Sequence, residues 1–184
     1  MRVLSGSDKG RRLIAPQGSS TRPTTARVRG SLFDILVSRY DLTNTTVLDL
    51  YAGSGALGLE ALSRGASRVT FVDWSPKASR VLRQNILRLG VMNRSKLVRA
   101  NVMEYLQRLD EEDKDVFDLV FCDPPYEFSQ WQSLLELLPK GAILVLESDR
   151  EIDPPVDRVT VKCKRYGGSV VTVLSPIEIK GGNC

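Results

Sequence analysis

The stretch Asp123-Pro124-Pro125-Tyr126 combines residue types that could hold an amino group beside an aromatic base. It follows the apolar run VFDLV, and because prolines cannot donate to a sheet, a buried strand is predicted to end there. The Asp123 carboxylate and the Pro124 carbonyl offer two fixed acceptors for a planar NH₂ group. Tyr126 offers a face on which a flipped base can stack. These four residues are the predicted catalytic site, with a rigid turn between strand and loop as the alternative.

A second candidate is the glycine-rich stretch DLYAGSGALG, residues 49–58, which follows a strand pattern and opens a helix. Gly53 and Gly55 permit a tight turn and close approach of backbone to a ligand, and Gly58 permits close packing of helix on strand. Asp73 ends the next strand and could bind ribose hydroxyls, and Trp74 could lie against an adenine ring. The pattern favours a nucleotide-type cofactor and leaves NAD and S-adenosylmethionine open. An ordinary strand-to-helix turn is the alternative.

Two further polar residues bear on the choice of cofactor. Asp49 stands four residues before the first glycine, as in methyltransferases, and could either hold the loop or meet the ammonium of a methionine group. Asn101 follows the third strand and could bind the adenine edge or cap the next helix. With S-adenosylmethionine, the chemistry needs no strong base, and an ionised Asp123 can orient the amine and relay its proton. The predicted cofactor-binding residues are Asp49, Tyr51, Gly53, Gly55, Asp73, Trp74, Asn101 and Val102.

Apolar strand patterns alternate with helix patterns from residue 46 onward, which predicts an α/β fold with a mostly parallel sheet covered on both faces. Two last strands joined at Gly167-Gly168 predict an antiparallel C-terminal hairpin. This order is that of the Rossmann-like, class I methyltransferases with seven strands. Residues 1–16 predict a small β-hairpin, and a helix is predicted from about Thr25, after Pro23. We divide the chain into a basic N-terminal hairpin and helix, 1–40, packed on a methyltransferase domain, 41–184.

The composition excludes several kinds of site. The 184 residues contain no histidine, which rules out Ser-His-Asp hydrolysis and makes a zinc site unexpected, so no metal is predicted. Three scattered cysteines argue against a disulfide framework and fit the reducing cytoplasm, where we expect the protein. The sequence contains no apolar run of 18 or more residues, so no membrane span is predicted. The acidic run DEEDKD, residues 110–115, predicts a solvated loop.

Positive charge is concentrated near the N-terminus. Residues 1–30 contain seven Arg and Lys residues against a single acid, Asp8, whereas the whole chain carries a net charge of +4. The N-terminal segment therefore holds the whole excess. Such a basic segment favours a polyanionic partner such as nucleic acid, although a solvated surface segment has the same composition.

The segments RVLSGSDKGRRL, RPTTARVRGSLF, DLYAGSGALGLEALSRGA, DPPY and KRYGGSVVTVL occur in this order. Together they closely resemble the bacterial 16S ribosomal RNA guanine-N2 methyltransferases of the RsmD type, over essentially the whole chain. RPTT-x-RVR followed by LF is specific to that family, whereas DPPY serves several kinds of amine. The resemblance implies a cytoplasmic enzyme that uses S-adenosylmethionine to methylate the exocyclic N2 of one guanine in 16S rRNA of a small-subunit particle. We expect a monomer.

The predicted RNA-binding residues are Arg11, Arg12, Arg22, Thr24, Arg27 and Arg29. For the last four, packing of the helix against the sheet is the alternative. The chain departs from the family pattern at Ala26 and Gly30, where acids are usual. If those acids normally pair with the arginines, the arginines of this chain are either unpaired or held by other groups. A DNA amino-methyltransferase shares the motifs but usually needs a recognition domain. The motifs also leave open an NAD-dependent oxidoreductase and a non-catalytic RNA-binding assembly factor.

Overall fold

The computed structural model describes residues 1–15 and 26–177, which form a seven-stranded sheet in the order β3-β2-β1-β4-β5-β7-β6. The strands are β1 Thr46–Leu50, β2 Arg68–Val72, β3 Ser95–Val98, β4 Leu119–Cys122, β5 Ile143–Ser148, β6 Arg158–Tyr166 and β7 Ser169–Pro176. Strands β1 to β5 pair with one another in parallel. Strand β7 is antiparallel to both β5 and β6. The predicted mostly parallel sheet with an antiparallel C-terminal hairpin is confirmed.

Helices cover both faces of this sheet. The described helices are α1 Ala26–Val37, α2 Ala56–Ser63, α3 Pro76–Leu89, α4 Val102–Arg108, α5 Glu111–Asp115 and α6 Trp131–Leu137. Residues of α1, α2 and α3 pack into one apolar cluster, and residues of α4 and α6 into the other. Val47 points to the first cluster and Leu48 to the second, as the alternation of side chains along a strand requires. No helix in the described ranges has the length and apolar character to cross a membrane.

The boundaries of α3 follow from its terminal residues. The Ser75 side chain accepts a hydrogen bond from the Ala78 N–H, and Pro76 occupies the first helical position, where it loses no intrahelical bond. Gly90 ends the helix with φ of 72°, the left-handed conformation that glycine adopts readily. Residue types typical of helix ends therefore set both bounds of α3.

Residues 1–15 form a hairpin-like arm, here called the N-terminal arm, with one antiparallel bridge between Arg2 and Arg12. Its closed end lies against the C-terminal part of α2, where the Ser7 N–H donates to the Ser63 carbonyl. At Gly6 the approach is so close that a Cβ would lie 1.7 Å from that carbonyl oxygen. Because α2 begins at the carboxyl edge of the sheet and runs back, this end of the arm lies far from the strand ends where ligands bind.

Helix α5 corrects the prediction of a solvated loop at residues 110–115, which was wrong. The Asp110 side chain accepts a hydrogen bond from the Asp113 N–H at 2.8 Å and so caps the helix. The acids in the first turn interact favourably with the positive end of the helix dipole. Lys114 also forms an ion pair with Glu111 at 2.9 Å. The carboxylates stay exposed. The N-terminal helix is described from Ala26, and the predicted entry at Pro23 and Thr25 lies outside the described residues.

Candidate active site

The carboxyl ends of β1 and β4 lie side by side in the middle of the sheet. Leu50 is opposite Cys122 in this parallel pair, so Tyr51 and Asp123 leave the sheet beside each other. From here β1 leads to β2 on one side and β4 leads to β5 on the other. Open α/β sheets bind ligands in the crevice at such a point. The glycine loop after β1 and the DPPY stretch after β4 therefore meet at this crevice.

The glycine loop between β1 and α2 contains three residues in the left-handed region. The φ angles are 55° at Tyr51, 56° at Gly53 and 77° at Gly55. A Cβ at Gly55 would come within 2.3 Å of the Leu82 side chain on α3. At Gly53, by contrast, the nearest atom to a Cβ would be the Tyr51 carbonyl oxygen at 3.9 Å. The Leu82 side chain therefore packs directly against the backbone at Gly55, whereas the backbone at Gly53 is open to a ligand.

Asp49 is buried beneath this loop, with 2% of its surface exposed. Its Oδ2 accepts a hydrogen bond from the Gly58 N–H at 2.9 Å, which ties α2 to β1. Burial raises the pKa of Asp49 well above its ordinary value; the Gly58 N–H acts in the opposite direction, and the nearby Asp123 and Asp73 carboxylates raise it further. A cation placed beside this carboxyl would favour its ionised form. Two roles were predicted for Asp49, holding the loop and meeting the ammonium of a methionine group. The bond from the Gly58 N–H is a contact of the first kind.

Asp73 closes the loop from the end of β2. Its Oδ2 accepts from the Gly53 N–H at 2.8 Å, and its Oδ1 accepts from the Ser75 N–H at 2.8 Å. Each carboxylate oxygen has two lone pairs, so these bonds leave acceptor capacity for a ribose hydroxyl. Trp74 follows with 65% of its surface exposed, an unusual position for a large aromatic side chain. Both residues lie at the edge that a nucleoside would occupy.

Asn101 and Val102 lie beyond the end of β3. The Asn101 Oδ1 accepts from the Met103 and Glu104 N–H groups at 2.9 and 3.3 Å, so Asn101 caps α4. Its amide NH₂ is the part of the side chain that could donate to an adenine ring. Val102 is buried in the core with 2% exposure, so its backbone is the part available to a cofactor.

The DPPY stretch forms a tight turn directly after β4. Pro124 is buried and Asp123 is partly exposed. The Phe128 N–H donates to the Pro125 carbonyl at 2.9 Å, which closes the turn and presents Tyr126 with 66% of its surface exposed. The Tyr126 hydroxyl donates to the Gly168 carbonyl at 3.0 Å, in the turn between β6 and β7. The predicted stacking residue is thus exposed and held at its far end.

Aromatic rings support this turn from beneath. The Phe128 ring lies edge-on to Tyr51, with centroids 5.9 Å apart, and edge-on to Trp131, with centroids 5.2 Å apart. Burial raises the pKa of Tyr51, with Cys122 as a smaller cause, so its hydroxyl stays protonated. Phe128 and Trp131 are aromatic residues that were not predicted from the sequence, although their spacing of three residues across the start of a helix is a signal for such a pair.

Asn85 on α3 is a second residue that sequence reasoning missed. It is fully buried, its Oδ1 accepts from the Ile14 N–H at 2.7 Å, and its Nδ2 donates to the Ile14 carbonyl at 3.0 Å and the Ser54 carbonyl at 2.9 Å. Asn85 therefore joins the N-terminal arm to the glycine loop. A polar residue on the buried stripe of α3, one position before Ile86, was the signal available in the sequence.

Arg29 does not lie on a surface that RNA could contact, so that prediction is corrected. Its side chain is 1% exposed and its Nε lies 3.8 Å from Glu60 Oε2, while Nη2 donates to the Arg2 carbonyl. Burial lowers the pKa of Arg29, an effect that the Glu60 carboxylate opposes and Arg64 reinforces. The buried pair is costly to desolvate and requires these hydrogen bonds. Among the described residues, Glu60 is the acid that lies beside Arg29.

The remaining predicted RNA-binding residues fall into three groups. Arg11 pairs with Asp8 at 2.6 Å and donates to the carbonyls of Arg88 and Leu89, at the C-terminal end of α3. Arg12 and Arg27 are exposed. Arg22 and Thr24 lie outside the described residues. Arg11 therefore stabilises the arm on α3, and of this set only Arg12 and Arg27 are shown as exposed cations without a described ion-pair partner.

Three carboxylates, Asp49, Asp73 and Asp123, lie around the crevice, close enough for the last two to affect the first. Such a set of acids attracts a cofactor that carries positive charge. It would repel the negative charge of a pyrophosphate. The open backbone at Gly53 and the remaining lone pairs of Asp73 fit a nucleoside. Among the described residues, no group of three or more His, Cys, Asp and Glu side chains is arranged to hold a metal ion.

Comparison with known proteins shows the family of this chain. A family model described as conserved hypothetical protein 95 matches residues 1–175. The chain belongs to this family. Ribosomal RNA small subunit methyltransferase D of Escherichia coli (strain K12) is 34% identical over 157 residues, which is 82% of this chain and 76% of the relative. The predicted relationship to the RsmD-type rRNA methyltransferases is confirmed by these matches.

Solved structures with a similar fold cover most of this chain. Hypothetical protein TTHA0928 of Thermus thermophilus superposes with a TM-score of 0.79 and 31% identity, covering 95% of this chain and 99% of that one. SMU.776, a methyltransferase-fold protein solved in complex with SAH, has a TM-score of 0.63 and 14% identity, covering 80% of this chain and 48% of that one. The second likeness concerns the fold alone, and the predicted methyltransferase fold is confirmed.

Proposed function

We propose that the protein transfers a methyl group from S-adenosylmethionine to the exocyclic N2 amine of a guanine in 16S ribosomal RNA. The observation that carries this proposal is the position of Asp123-Pro124-Pro125-Tyr126 beside the glycine loop, across the register of β1 and β4. The three carboxylates favour a cationic cofactor over NAD. The likeness to ribosomal RNA small subunit methyltransferase D supports RNA of the small subunit as the substrate.

In this proposal the residues at the ends of β1, β2 and β3 would hold the cofactor. The Gly53 backbone would approach it, the Asp73 carboxylate would accept from its ribose, the Trp74 ring would cover its adenine and the Asn101 amide would donate to the adenine edge. The buried Asp49 attracts the ammonium of the methionine group through the ionised form that a cation favours. When bound, S-adenosylmethionine supplies an electrophilic methyl group.

The DPPY turn holds the guanine. Asp123 and the Pro124 carbonyl accept the two N–H bonds of the amine, which directs the nitrogen lone pair towards the cofactor side of the crevice. Tyr126 stacks on the base, and its hydroxyl bond to the Gly168 carbonyl sets the plane of the ring. Asp123 accepts the proton that the methylated amine releases. Positioning of this kind supplies most of the rate, and no histidine is required.

The proposal is tested by transfer of labelled methyl groups to small-subunit particles, to deproteinised 16S rRNA and to duplex DNA. We expect transfer to the ribosomal substrates, and we expect Asp123→Ala to lower it by about 10²–10⁴-fold because amine orientation and proton acceptance are lost. Calorimetry should show cofactor affinity close to that of the wild type. Glu127→Ala, which removes an exposed carboxylate from the same turn, is the matched control. Full activity of Asp123→Ala, or transfer to duplex DNA alone, would contradict the proposal.

The substrate in this proposal is an assembled or partly assembled small-subunit particle, and the enzyme acts on it as a monomer. Initial rates on naked 16S rRNA, on assembly intermediates and on complete small subunits distinguish these substrates. Mass-spectrometric mapping of modified guanines in 16S rRNA from cells with and without the protein identifies the target nucleotide. Equal rates on naked RNA and on particles would remove the particle from the proposal and leave the chemistry in place.

A further inference from the structure

Strand β6 carries cations along an exposed edge of the sheet. Among residues 1–15 and 26–177 it is the last strand in the sheet order and pairs with β7 alone, and its sequence RVTVKCKRY contains four basic residues and no acid. Arg158 is buried and donates to the carbonyls of Pro139, Lys140 and Ala142. Lys162, Lys164 and Arg165 are exposed. Three of the four cations are therefore available to a partner.

The register places Lys162 and Lys164 on one face, and we call these two residues the β6 cation row. Lys162 pairs with Val173 and Lys164 with Val171, and both valines belong to the apolar cluster that α1, α2 and α3 cover. Arg165, one residue further, points to the opposite face because side chains alternate along a strand. The two lysines are about 7 Å apart along the strand, so their charges add in one place.

Contacts connect the row to α1. The Lys164 Nζ lies 5.1 Å from the centroid of the Tyr166 ring, and the Tyr166 hydroxyl lies 2.5 Å from the Ser31 Oγ on α1. Arg27 is four residues before Ser31, hence on the same side of the helix and about 5–6 Å away between Cβ atoms. Arg27 is exposed. A band of positive charge therefore runs from the start of α1 across Tyr166 to β6.

The same strand leads to the proposed guanine pocket. Residues 167–168 turn β6 into β7, and the Gly168 carbonyl accepts the hydrogen bond from the Tyr126 hydroxyl. The cation row thus ends four residues before the contact that holds the stacking ring. A polyanion lying on the row would reach the pocket without leaving the protein surface.

Lys162, Lys164 and Arg27 have no ion-pair partner within residues 1–15 and 26–177. On β5, Glu147 pairs with Val171 of β7 and faces the same side of the sheet, so it lies two strands, about 9–10 Å, from β6. The acid of α1 is the exposed Asp34, almost two turns beyond Arg27 and three residues beyond Ser31. Neither acid forms a described ion pair with Arg27, Lys162 or Lys164, so these three charges remain available to a polyanion.

We propose that the β6 cation row, together with Arg27, binds the phosphates of the RNA strand that flanks the methylated guanine. This inference rests on the proposed function and names the surface on which that substrate lies. Phosphate contacts of this kind fix the position of the strand without reading its sequence. Base selection is left to the pocket at Asp123 and Tyr126.

The test compares two double variants that each remove two charges. Lys162→Ala with Lys164→Ala removes the row, whereas Arg88→Ala with Lys96→Ala removes exposed cations from α3 and from β3 at the other edge of the sheet. Binding of deproteinised 16S rRNA and of small-subunit particles is measured over a range of salt concentrations. We expect the row variant alone to lose about 1.4 from the magnitude of the salt slope, since each contact to single-stranded RNA contributes about 0.7.

Kinetics and a conservative variant complete the test. In the row variant we expect a raised KM for the RNA, an unchanged kcat and unchanged affinity for S-adenosylmethionine, and Lys162→Arg with Lys164→Arg should restore the slope. An unchanged slope in the row variant, or equal losses in both double variants, would overturn the inference. Failure of the proposed function is a different result, in which the wild type transfers no methyl group to either ribosomal substrate. The binding slopes then still decide the role of the row.

Discussion

The N-terminal arm and the β6–β7 hairpin are both basic antiparallel segments, yet their cations are used differently. In the arm, Arg2 donates to the Gly10 carbonyl and Arg11 donates to the end of α3, and of the three arginines of the arm Arg12 alone stays exposed without a described partner. The adjoining α1 keeps Arg29 buried beside Glu60. On the hairpin, Lys162 and Lys164 are exposed and have no described ion-pair partner. Net charge counted along a sequence therefore does not identify the surface that a polyanion contacts.

The two segments also lie against different sides of the crevice. The arm reaches the glycine loop through Asn85 and Ser54, whereas the hairpin reaches the DPPY turn through Gly168 and Tyr126. We infer that the arm stabilises the cofactor side and that the hairpin stabilises the guanine side. Variants in the arm should therefore change stability and cofactor affinity, and variants in the hairpin should change RNA binding.

The largest effect is expected from Glu60→Ala. This carboxylate is fully buried, lies beside Arg29 and Arg64, and accepts from the Leu4 and Ser5 N–H groups. Its loss leaves a buried guanidinium uncompensated and should lower the free energy of unfolding by about 3–5 kcal/mol. Denaturant unfolding measures this change, with the exposed Glu136→Ala as control. Wild-type stability in Glu60→Ala would show that the arm is not held by this group.

Asn85→Ala should have the next largest effect, because it leaves the Ile14 backbone and the Ser54 carbonyl without their partner. We expect a loss of about 1–3 kcal/mol in stability and weaker binding of S-adenosylmethionine by calorimetry. The salt slope of RNA binding should stay at the wild-type value. The exposed neighbour Gln84→Ala serves as control. If RNA binding fell while cofactor affinity held, the division between arm and hairpin would be wrong.

Tyr126→Phe tests the hairpin side. It removes the hydroxyl bond to the Gly168 carbonyl and keeps the ring. One such bond contributes about 0.5–1.5 kcal/mol, which corresponds to a rise of about 2- to 10-fold in the KM for RNA. Tyr126→Ala should cost more because stacking on the base is lost as well. Steady-state kinetics with small-subunit particles measures both, and equal kinetics for the wild type and the two variants would remove Tyr126 from the pocket.

The smallest effect is expected from Arg11→Ala. The Arg11 side chain is 46% exposed, and surface ion pairs such as its pair with Asp8 contribute about 1 kcal/mol or less. We expect a small loss of stability and an unchanged salt slope for RNA. A loss of slope as large as that of the β6 cation row variant would place RNA on the arm as well, and the contrast between the two segments would disappear.

The fold and the position of the crevice could be predicted because their signals are local. Glycines, acids and prolines at the ends of apolar runs mark where strands stop, and parallel strands bring those ends to one edge. The structure has Asp73 and Asp123 at that edge, beside the glycine loop. The cap at Ser75 and the turn at Gly167 follow from residue type in the same way.

The partners of the arginines could not be predicted because they are distant in sequence. Glu60 meets the backbone of Leu4 across 56 residues, and Arg11 meets Leu89 across 78. A sequence shows that an arginine is present, whereas only packing shows whether a carboxylate or a helix end already holds it. The helix at residues 111–115 was missed for a related reason, since its charges suggested solvent and its cap at Asp110 decided the conformation.

The exposed edge of β6 has a consequence for association between chains. In the part of the chain that the structure describes, this nine-residue strand has no neighbour on one side, and its backbone groups there are ones to which another strand can add. Lysines on such an edge oppose this pairing by repulsion between copies, and the irregular register between Thr160 and Lys162 interrupts the flat edge. Evolution towards tighter RNA binding and protection against aggregation would therefore select the same two side chains.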